Sequence, residues 1–536
     1  MAPVPPKKVV FGRGINAAVR ARQVSPMECE DGANFDLALD FTGFRPRKPF
    51  DLVATAPNGA EIRGYAQLVK RDGTISTLIQ AGSSVYEWDG ASTFTIVGSV
   101  SSGARLRGKL SHNWSLGDLV IITDLEKVEP VRVWDGSTFS VMAHNLSSTL
   151  YAKYALVENE RLYLANVQSG TDTPHVLLVS KIQDYGNLSQ SVRSDGIGSL
   201  ASTTSDAFFL PVRDLKPING LETIFRTVVL STELGRLYNL VGQNAFDFEM
   251  KEFYPGSHAS GDEAMVNVGN DIAYGHISSI ESLSGTQNFG DVATNDISRW
   301  IAPEVEDVLT WTLAYDPRLR KIYCLPAGGN VLWVCHKSIL DSQDGQSPWS
   351  KWTTDNAFSF QPSVMMNMLR PSDGIEVVFM GGAQGQIYQL DGSGTGDAGS
   401  TDIACYRTTG IIDPADGQNL LVFDNKGYVD FKRVASATLN LDFINQGLAV
   451  FTRRTTVNIP ATTEYSVYGG TSYYDGTGDP GDDNAYYGDA LRERISRQTF
   501  TVAGIPSFFQ LRSSISGTSD FEIDEIGLDF SAAKQA

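Results

Sequence analysis

Val85-Tyr86-Glu87-Trp88-Asp89-Gly90, with its tail Ser92-Thr93-Phe94, has a near copy in Val131-Arg132-Val133-Trp134-Asp135-Gly136-Ser137-Thr138-Phe139. A weaker third copy is Ile387-Tyr388-Gln389-Leu390-Asp391-Gly392. Each reads as a strand with alternating side chains, then an Asp-Gly turn that needs positive φ, then a return strand. The first two copies stand 46 residues apart, inside the period of about 40–50 residues expected of four-stranded propeller blades. The sequence therefore predicts a mainly β protein built on a β-propeller. Trp88, Asp89, Gly90, Trp134, Asp135, Gly136, Asp391 and Gly392 are its structural turn signature.

A length of 536 residues exceeds one ordinary domain, and 51 glycines with 20 tyrosines suit many short strands and tight turns. Lys and Arg number 43 against 62 Asp and Glu, for a net charge of −19. A protein that grips phosphates shows a basic excess, so tight DNA wrapping is not expected. An acidic wall past which DNA slides is compatible with the charge, as is a role in solubility alone. The four cysteines (Cys29, Cys324, Cys335, Cys405) form no C-x-x-C pair. The hairpin through Gly328-Gly329 sets Cys335 opposite Ile322 and leaves Cys324 diagonal, a poor disulfide geometry. Scattered thiols suggest a reducing compartment. The start, MAPVPPKKVVFGRG, lacks an apolar signal-peptide segment, and no run reaches the length of a membrane span.

Residues 1–50 read as an extended arm, with Pro3, Pro5 and Pro6 followed by Lys7, Lys8, Arg13, Arg20, Arg22, Arg45, Arg47 and Lys48. Such an arm suits either docking on an acidic neighbour or a solvated leader. Residues 51–395 carry dense strand signals, among them Ile75–Ala81, Arg161–Ala165, Val331–Cys335 and Glu376–Met380, enough for about six to eight degenerate blades. Within them, Pro303 to Leu309 predicts an amphipathic helix, with Ile301, Val305, Val308 and Leu309 on one face. Residues 396–536 predict a C-terminal β-rich domain or sheet extension, after a flexible Gly/Ser/Thr boundary at 393–402.

Candidate chemistry is sparse. Gly103-Ala104-Arg105-Leu106-Arg107-Gly108-Lys109-Leu110 approaches a P-loop, but Leu110 replaces the Mg²⁺-binding hydroxyl and no helix follows, so the stretch reads as strand and turn. Ser342-Gln343-Asp344-Gly345-Gln346-Ser347-Pro348-Trp349 is similar to the Asp-box of sialidase-type propellers, a turn stabiliser and not a catalytic device. The six histidines (His112, His144, His175, His258, His276, His336) form no close ligand pair. Asp475, Asp479, Asp482, Asp483 and Asp489 lack EF-hand spacing. Tyr473, Tyr474, Tyr486 and Tyr487, interleaved with them, make that loop the candidate partner-contact surface. No catalytic residue, metal ligand or cofactor is expected.

The order of parts resembles the tail nozzle proteins of short-tailed bacteriophages, also called tail tubular protein B. The resemblance rests on Asp31-Gly32-Ala33-Asn34-Phe35 with Phe44-Arg45-Pro46, the Val-Tyr-x-Trp-Asp-Gly turns, and Ala314-Tyr315-Asp316-Pro317 with Lys321-Ile322-Tyr323. Trp349-x-x-Trp352, Gly385-Gln386-Ile387-Tyr388 and a β-rich end complete it. It implies a non-enzymatic virion protein, assembled in the host bacterial cytoplasm. Such a protein forms a homo-hexameric ring below the head–tail adaptor, supports tail fibres or spikes, and passes genomic DNA through its lumen without sequence-specific binding. Two alternatives stand beside it, since propellers host many functions. One is a sialidase-like propeller glycosidase, which needs carboxylates and arginines clustered in the central funnel. The other is a receptor- or glycan-binding tail module.

Overall fold

The computed structural model describes residues 7–10, 13–20, 23–25, 27–37, 43–113, 117–188, 207–233, 235–242, 248–255, 258–269, 271–285, 292–342, 345–353, 362–393, 397, 403–412, 421–433, 437–445, 451–459, 496–501, 509–516 and 521–532. They divide between two compact units, one of residues 50–337 and 358–392, the other of residues 1–49, 338–357 and 393–536.

The first unit is a β-propeller with seven blades among the described residues. Blade 1 is Ile62–Val69, Ile75–Ala81, Ser84–Trp88 and Phe94–Ser99; blade 2 is Leu106–Asn113, Gly117–Asp124, Arg132–Trp134 and Phe139–Val141. Blades 3, 4 and 5 begin with the innermost strands Leu150–Glu158, Ile218–Ile224 and Met265–Asn267. Blade 6 contributes Trp311–Asp316, Lys321–Pro326 and Val331–His336 to this unit. Blade 7 is Pro362–Leu369, Glu376–Gly382 and Gln386–Gln389, and its outermost strand is Asp51–Thr55 from the far end of the unit's sequence. The innermost strands adjoin one another in chain order and the seventh adjoins the first, so the ring is closed.

Burial follows position in the blade. Ile62–Val69 alternates buried and half-buried residues, Ile75–Ala81 is buried from Ser76 onward, and Phe94–Ser99 is half-buried or exposed throughout. The core lies between blades. Ala66, Leu78, Leu106, Ile122 and Trp134 pack blade 1 on blade 2, and Tyr163, Phe208, Ile218 and Leu230 pack blade 3 on blade 4. Innermost strands splay apart, so side chains complete the hydrogen bonding that a ladder would otherwise supply. Gln67 Nε2 donates to the Leu369 carbonyl at 2.7 Å and its Oε1 accepts the Leu369 N–H at 2.7 Å. Asn267 reaches the Thr223 carbonyl at 2.6 Å and Asn367 the Tyr315 carbonyl at 2.7 Å. Blades 1 and 2 approach closely enough for backbone pairing (Arg107 with Tyr65, Gly108 with Ala66). Position 108 must be glycine there, because an added Cβ would lie 2.2 Å from the Ala66 Cβ.

Two expectations are corrected. The helix predicted from Pro303 to Leu309 is one turn, Ala302–Val305. Ile301 and Val305 are buried, but the chain turns away after Val305 and leaves Leu309 68% exposed. The extended arm predicted over residues 1–50 is, among the described residues, a set of strands built into the second unit. Lys7–Val10 pairs with Glu525 to Leu528, Cys29–Ala33 pairs with Cys405–Thr409, and Phe35–Leu37 forms a hairpin with Phe44–Pro46. Two of its cations serve internally: Arg45 meets Asp36 at 3.4 Å and buried Arg47 meets Asp397 at 2.6 Å.

Among the described residues, this second unit holds two sheets. One contains Phe35–Leu37, Phe44–Pro46, Phe521–Ala532, Leu421–Arg433 and Ser496–Thr501 in that order, with Lys7–Val10 also on Phe521–Ala532. The other runs Cys29–Ala33, Cys405–Thr409, Gln510–Ser516, Ala437–Asn445, Phe451–Ile459. The unit draws on both ends of the chain and on residues 338–357, which the contiguous spans 51–395 and 396–536 did not anticipate. The segment similar to an Asp-box lies here, its residues 343–344 outside the described set. Ser347 accepts the Gly14 N–H at its carbonyl (2.9 Å) and donates its own N–H to Glu28 at 2.6 Å.

All four cysteines are buried and free. Cys335 stands opposite Ile322 and Cys324 opposite Trp333, the register expected from the Gly328-Gly329 turn. Burial, partly offset by the Arg407 guanidinium, pushes the Cys29 thiol up to about 11. Thiols that are buried and protonated alkylate slowly. Under native, mildly alkaline conditions iodoacetamide is therefore expected to leave all four unlabelled, and denaturant to expose them. Pulse labelling with mass spectrometry checks this, and rapid labelling of any one without denaturant would contradict it.

Candidate functional site

The turn signature sits at one repeated place, the end of the third strand of a blade. Trp88 faces Phe94 and Trp134 faces Phe139 across their hairpins. Gly90 (φ +84°) and Gly136 (φ +87°) supply the left-handed residue. Asp89 Oδ1 accepts the N–H groups of Ala91 (2.8 Å) and Thr93 (3.0 Å); Asp135 Oδ1 accepts those of Ser137 (2.8 Å) and Thr138 (2.7 Å). Burial is the largest single influence and opposes each charge, but these donors together outweigh it and hold both carboxyls below their ordinary range. Each indole packs toward the preceding blade. Trp88 lies edge-on to Phe379 of blade 7 at 5.6 Å, and Trp134 Nε1 donates to Ser76 Oγ of blade 1 at 2.9 Å.

The third copy occupies the same place in blade 7 but makes no such turn. The fourth strand of that blade comes from Asp51–Thr55, so no return strand follows Gly392. Asp391 adopts φ +49° and is buried, with Lys321 Nζ at 2.8 Å and the Tyr323 hydroxyl donating to its other oxygen. Gly392 gives the Asp51 carboxylate room, at 2.2 Å from where a Cβ would stand. Asp391 thus ties blade 7 to blade 6 rather than capping a hairpin.

The densest charged constellation lies where the innermost strands begin. Arg105 and Arg107 come from the stretch that approaches a P-loop, which is a turn followed by the strand Leu106–Asn113. Arg107 reaches across to Glu263, ahead of the inner strand of blade 5, with Nε–Oε1 2.5 Å and Nη2–Oε2 2.6 Å. Its Nη1 donates to the Arg63 and Leu106 carbonyls, both at 2.7 Å, and the guanidinium stands 5.4 Å from the Tyr65 ring centre. Arg105 lies 3.3 Å from Glu263, 3.5 Å from Glu126 and 3.9 Å from Asp262. Lys153 (3.2 Å) and the Tyr154 hydroxyl (2.8 Å) both donate to Asp262 Oδ1. Blades 2, 3 and 5 therefore meet through side chains.

Burial works against the Arg107 charge, yet the Glu263 carboxylate more than compensates and holds that guanidinium above its ordinary pKa. Burial, then Asp262, pushes the Tyr154 phenol well above its ordinary value, so it remains a donor. Both Glu263 oxygens and Asp262 Oδ1 are hydrogen-bonded to cations or a phenol within the chain, and Asp262 Oδ2 stands 3.9 Å from Arg105. Glu263→Gln is expected to lower propeller stability by about 1.5–3 kcal/mol, the scale of a hydrogen-bonded charge lost from a partly buried site. Denaturant unfolding measures this, and adding Arg107→Met should cost less than the sum of the two.

Sequence reasoning missed this cluster because its members lie in three blades. The available signal was weak: alternating Arg105 and Arg107 at the start of one inner strand, and Asp262-Glu263 ahead of another. The candidate contact residues Tyr473, Tyr474, Tyr486 and Tyr487, with the neighbouring aspartates, lie outside the described residues. Among the described residues, no three His, Cys, Asp or Glu side chains are grouped to hold a metal ion, and no helix is long and apolar enough to cross a membrane.

No family model matches this chain, and no curated protein matches it. Solved structures do resemble it at low identity. The extracellular domain of a putative hybrid two-component system from B. thetaiotaomicron is 11% identical (TM-score 0.40), the match covering 64% of this chain and 39% of that one. A catalytically inactive virginiamycin B lyase from Staphylococcus aureus is 9% identical (TM-score 0.40), covering 64% and 98%. The WD40 domain of Toxoplasma gondii coronin is 10% identical (TM-score 0.38), covering 67% and 87%. None of these likenesses bears on the chemistry of this chain, whose propeller is established by its own strand order.

Proposed function

We propose that this chain is a structural, non-catalytic subunit of a short-tailed phage tail, the nozzle that forms a six-fold conduit below the head–tail adaptor and supports tail fibres or spikes. The observation that carries a scaffold reading is the commitment of the axial charges to one another. Arg107, Arg105, Lys153 and Tyr154 pair with Asp262 and Glu263, so the groups with which a propeller would act on a ligand instead lock blades together. The net charge of −19 supports the conduit part. Six such subunits around a lumen repel phosphate, and DNA passes without the counterion release that makes it stick. The order of parts adds the resemblance to nozzle proteins.

Electron microscopy of the purified protein, alone and mixed with the adaptor ring of its source particle, tests this. A six-fold ring with a lumen wide enough for duplex DNA is the expected result; a lone propeller that ignores the adaptor overturns it. A second reading, a glycan-cleaving or glycan-binding propeller, is favoured by one fact, that arginines and carboxylates do converge at the axis. Cleavage on a broad panel of capsular and sialylated glycans, abolished by Asp262→Asn, would favour that reading.

A further inference from the structure

The fold brings together two histidines that lie 18 positions apart in the sequence. His258 precedes blade 5 on the linker from blade 4, and His276 ends the second strand of blade 5. Their ring centres are 4.9 Å apart, with planes inclined at 73°. We propose that this pair binds one divalent transition-metal ion of the Zn²⁺ class, water completing the coordination. The inference is independent of the nozzle reading.

Three observations carry it. The spacing fits, since two imidazoles sharing a tetrahedral ion at metal–nitrogen distances of about 2.0–2.1 Å place their ring centres about 5 Å apart. His276 Nδ1 lies 3.0 Å from the Ile277 carbonyl. That contact fixes Nδ1 as the protonated nitrogen and leaves Nε2 its lone pair, the orientation metal-bound histidines commonly have. His258 Nδ1 is buried and has no hydrogen-bond partner among the described residues. Glu233 and Glu281 lie near His258, and Glu281 already accepts the Tyr274 hydroxyl. The chain supplies two imidazoles, and no third side chain is grouped with them among the described residues.

The surroundings hold both rings in place. Ser260 N–H donates to the Gly275 carbonyl at 2.6 Å, Ser278 N–H to the Val308 carbonyl at 2.9 Å, and Trp311 Nε1 to the His276 carbonyl at 2.9 Å. An ion here staples the linker between blades 4 and 5 to the second strand of blade 5. Because it binds the folded chain and not the separated histidines, it raises the unfolding temperature.

Isothermal titration of the metal-free full chain with Zn²⁺ is the test, alongside His258→Phe and His276→Phe, which keep a ring and remove the lone pair. The expected result is one saturable ion per chain, a Zn²⁺-dependent rise in unfolding temperature, and loss of both in each variant. Cu²⁺ bound to the wild type should show coupling to two nitrogens by electron paramagnetic resonance. No saturable binding, or binding that persists in both variants, overturns the proposal. Circular dichroism of the metal-free variants confirms that they fold; should one not fold, the other with the Cu²⁺ spectrum decides.

Discussion

Trp88→Ala is expected to lower propeller stability by about 3–5 kcal/mol, the range for truncating a large buried aromatic. Trp88 is 2% exposed and belongs to the cluster between blades 7 and 1, with Val364, Met366, Phe379 and Ile387. Its ring stacks on Phe94 at 6.2 Å and meets Phe379 edge-on at 5.6 Å, while Nε1 donates to the Ala91 carbonyl at 3.0 Å. Alanine empties a cavity at the seam where the first blade meets the last, and gives up the indole's bond to that carbonyl. Asp89→Ala should cost only about 0.5–1.5 kcal/mol, because the N–H groups it releases sit at an exposed turn that water can reach. Equilibrium denaturation followed by tryptophan fluorescence separates the two. Equal costs would mean that the motif acts through its turn and not through its indole. The sign with pH follows from the carboxyls. Asp89 and Asp135 are held below their ordinary range, so their contribution is present above that range and fades as pH falls through it.

How much of this was legible depended on whether the signal was local. The Trp-Asp-Gly turns were readable because strand, turn and return strand are consecutive, and two copies one blade apart gave the period. Ile75–Ala81 appears with the bounds its composition suggested. The third copy misled because its sequence is local and its partner is not: Asp391 answers to Lys321 and Tyr323 of blade 6, and the missing return strand comes from Asp51–Thr55. The leader misled for the same reason. A run of prolines and cations reads as solvated until Asp397, far along the chain, is found beside Arg47. The axial cluster was invisible because the ring, rather than spacing, brings blades 2, 3 and 5 together, and the His258–His276 pair because the linker into blade 5 folds back along its second strand.

Arg47→Ala is expected to destabilise the second unit by about 3–5 kcal/mol, the cost of leaving one member of a buried ion pair without the other. The Arg47 side chain is fully buried and Asp397 is 1% exposed, in a bidentate pair at 2.8 and 2.6 Å. The guanidinium also donates to Asn34 Oδ1 at 3.0 Å, the Lys48 carbonyl at 3.0 Å and the Thr353 carbonyl at 3.2 Å, and lies 6.0 Å from the Trp352 ring centre. Asn34 is the second half of this junction. At φ +55° it accepts the Thr353 N–H at 2.8 Å and donates to the Ala404 carbonyl at 3.1 Å, so the two residues join all three chain segments of the unit. Removing Arg47 strands the Asp397 charge and at once frees three acceptors. Arg47→Met with Asp397→Leu should recover much of the loss, because an apolar pair of similar volume avoids the desolvation that the ion pair must overcome. Hydrogen exchange resolved by segment checks the result: deprotection should begin in Cys29–Ala33 and Cys405–Thr409 while blades 1 to 4 stay protected. If the propeller strands exchange at the same rate, the two units unfold as one, and the loss measures the whole chain instead of this junction.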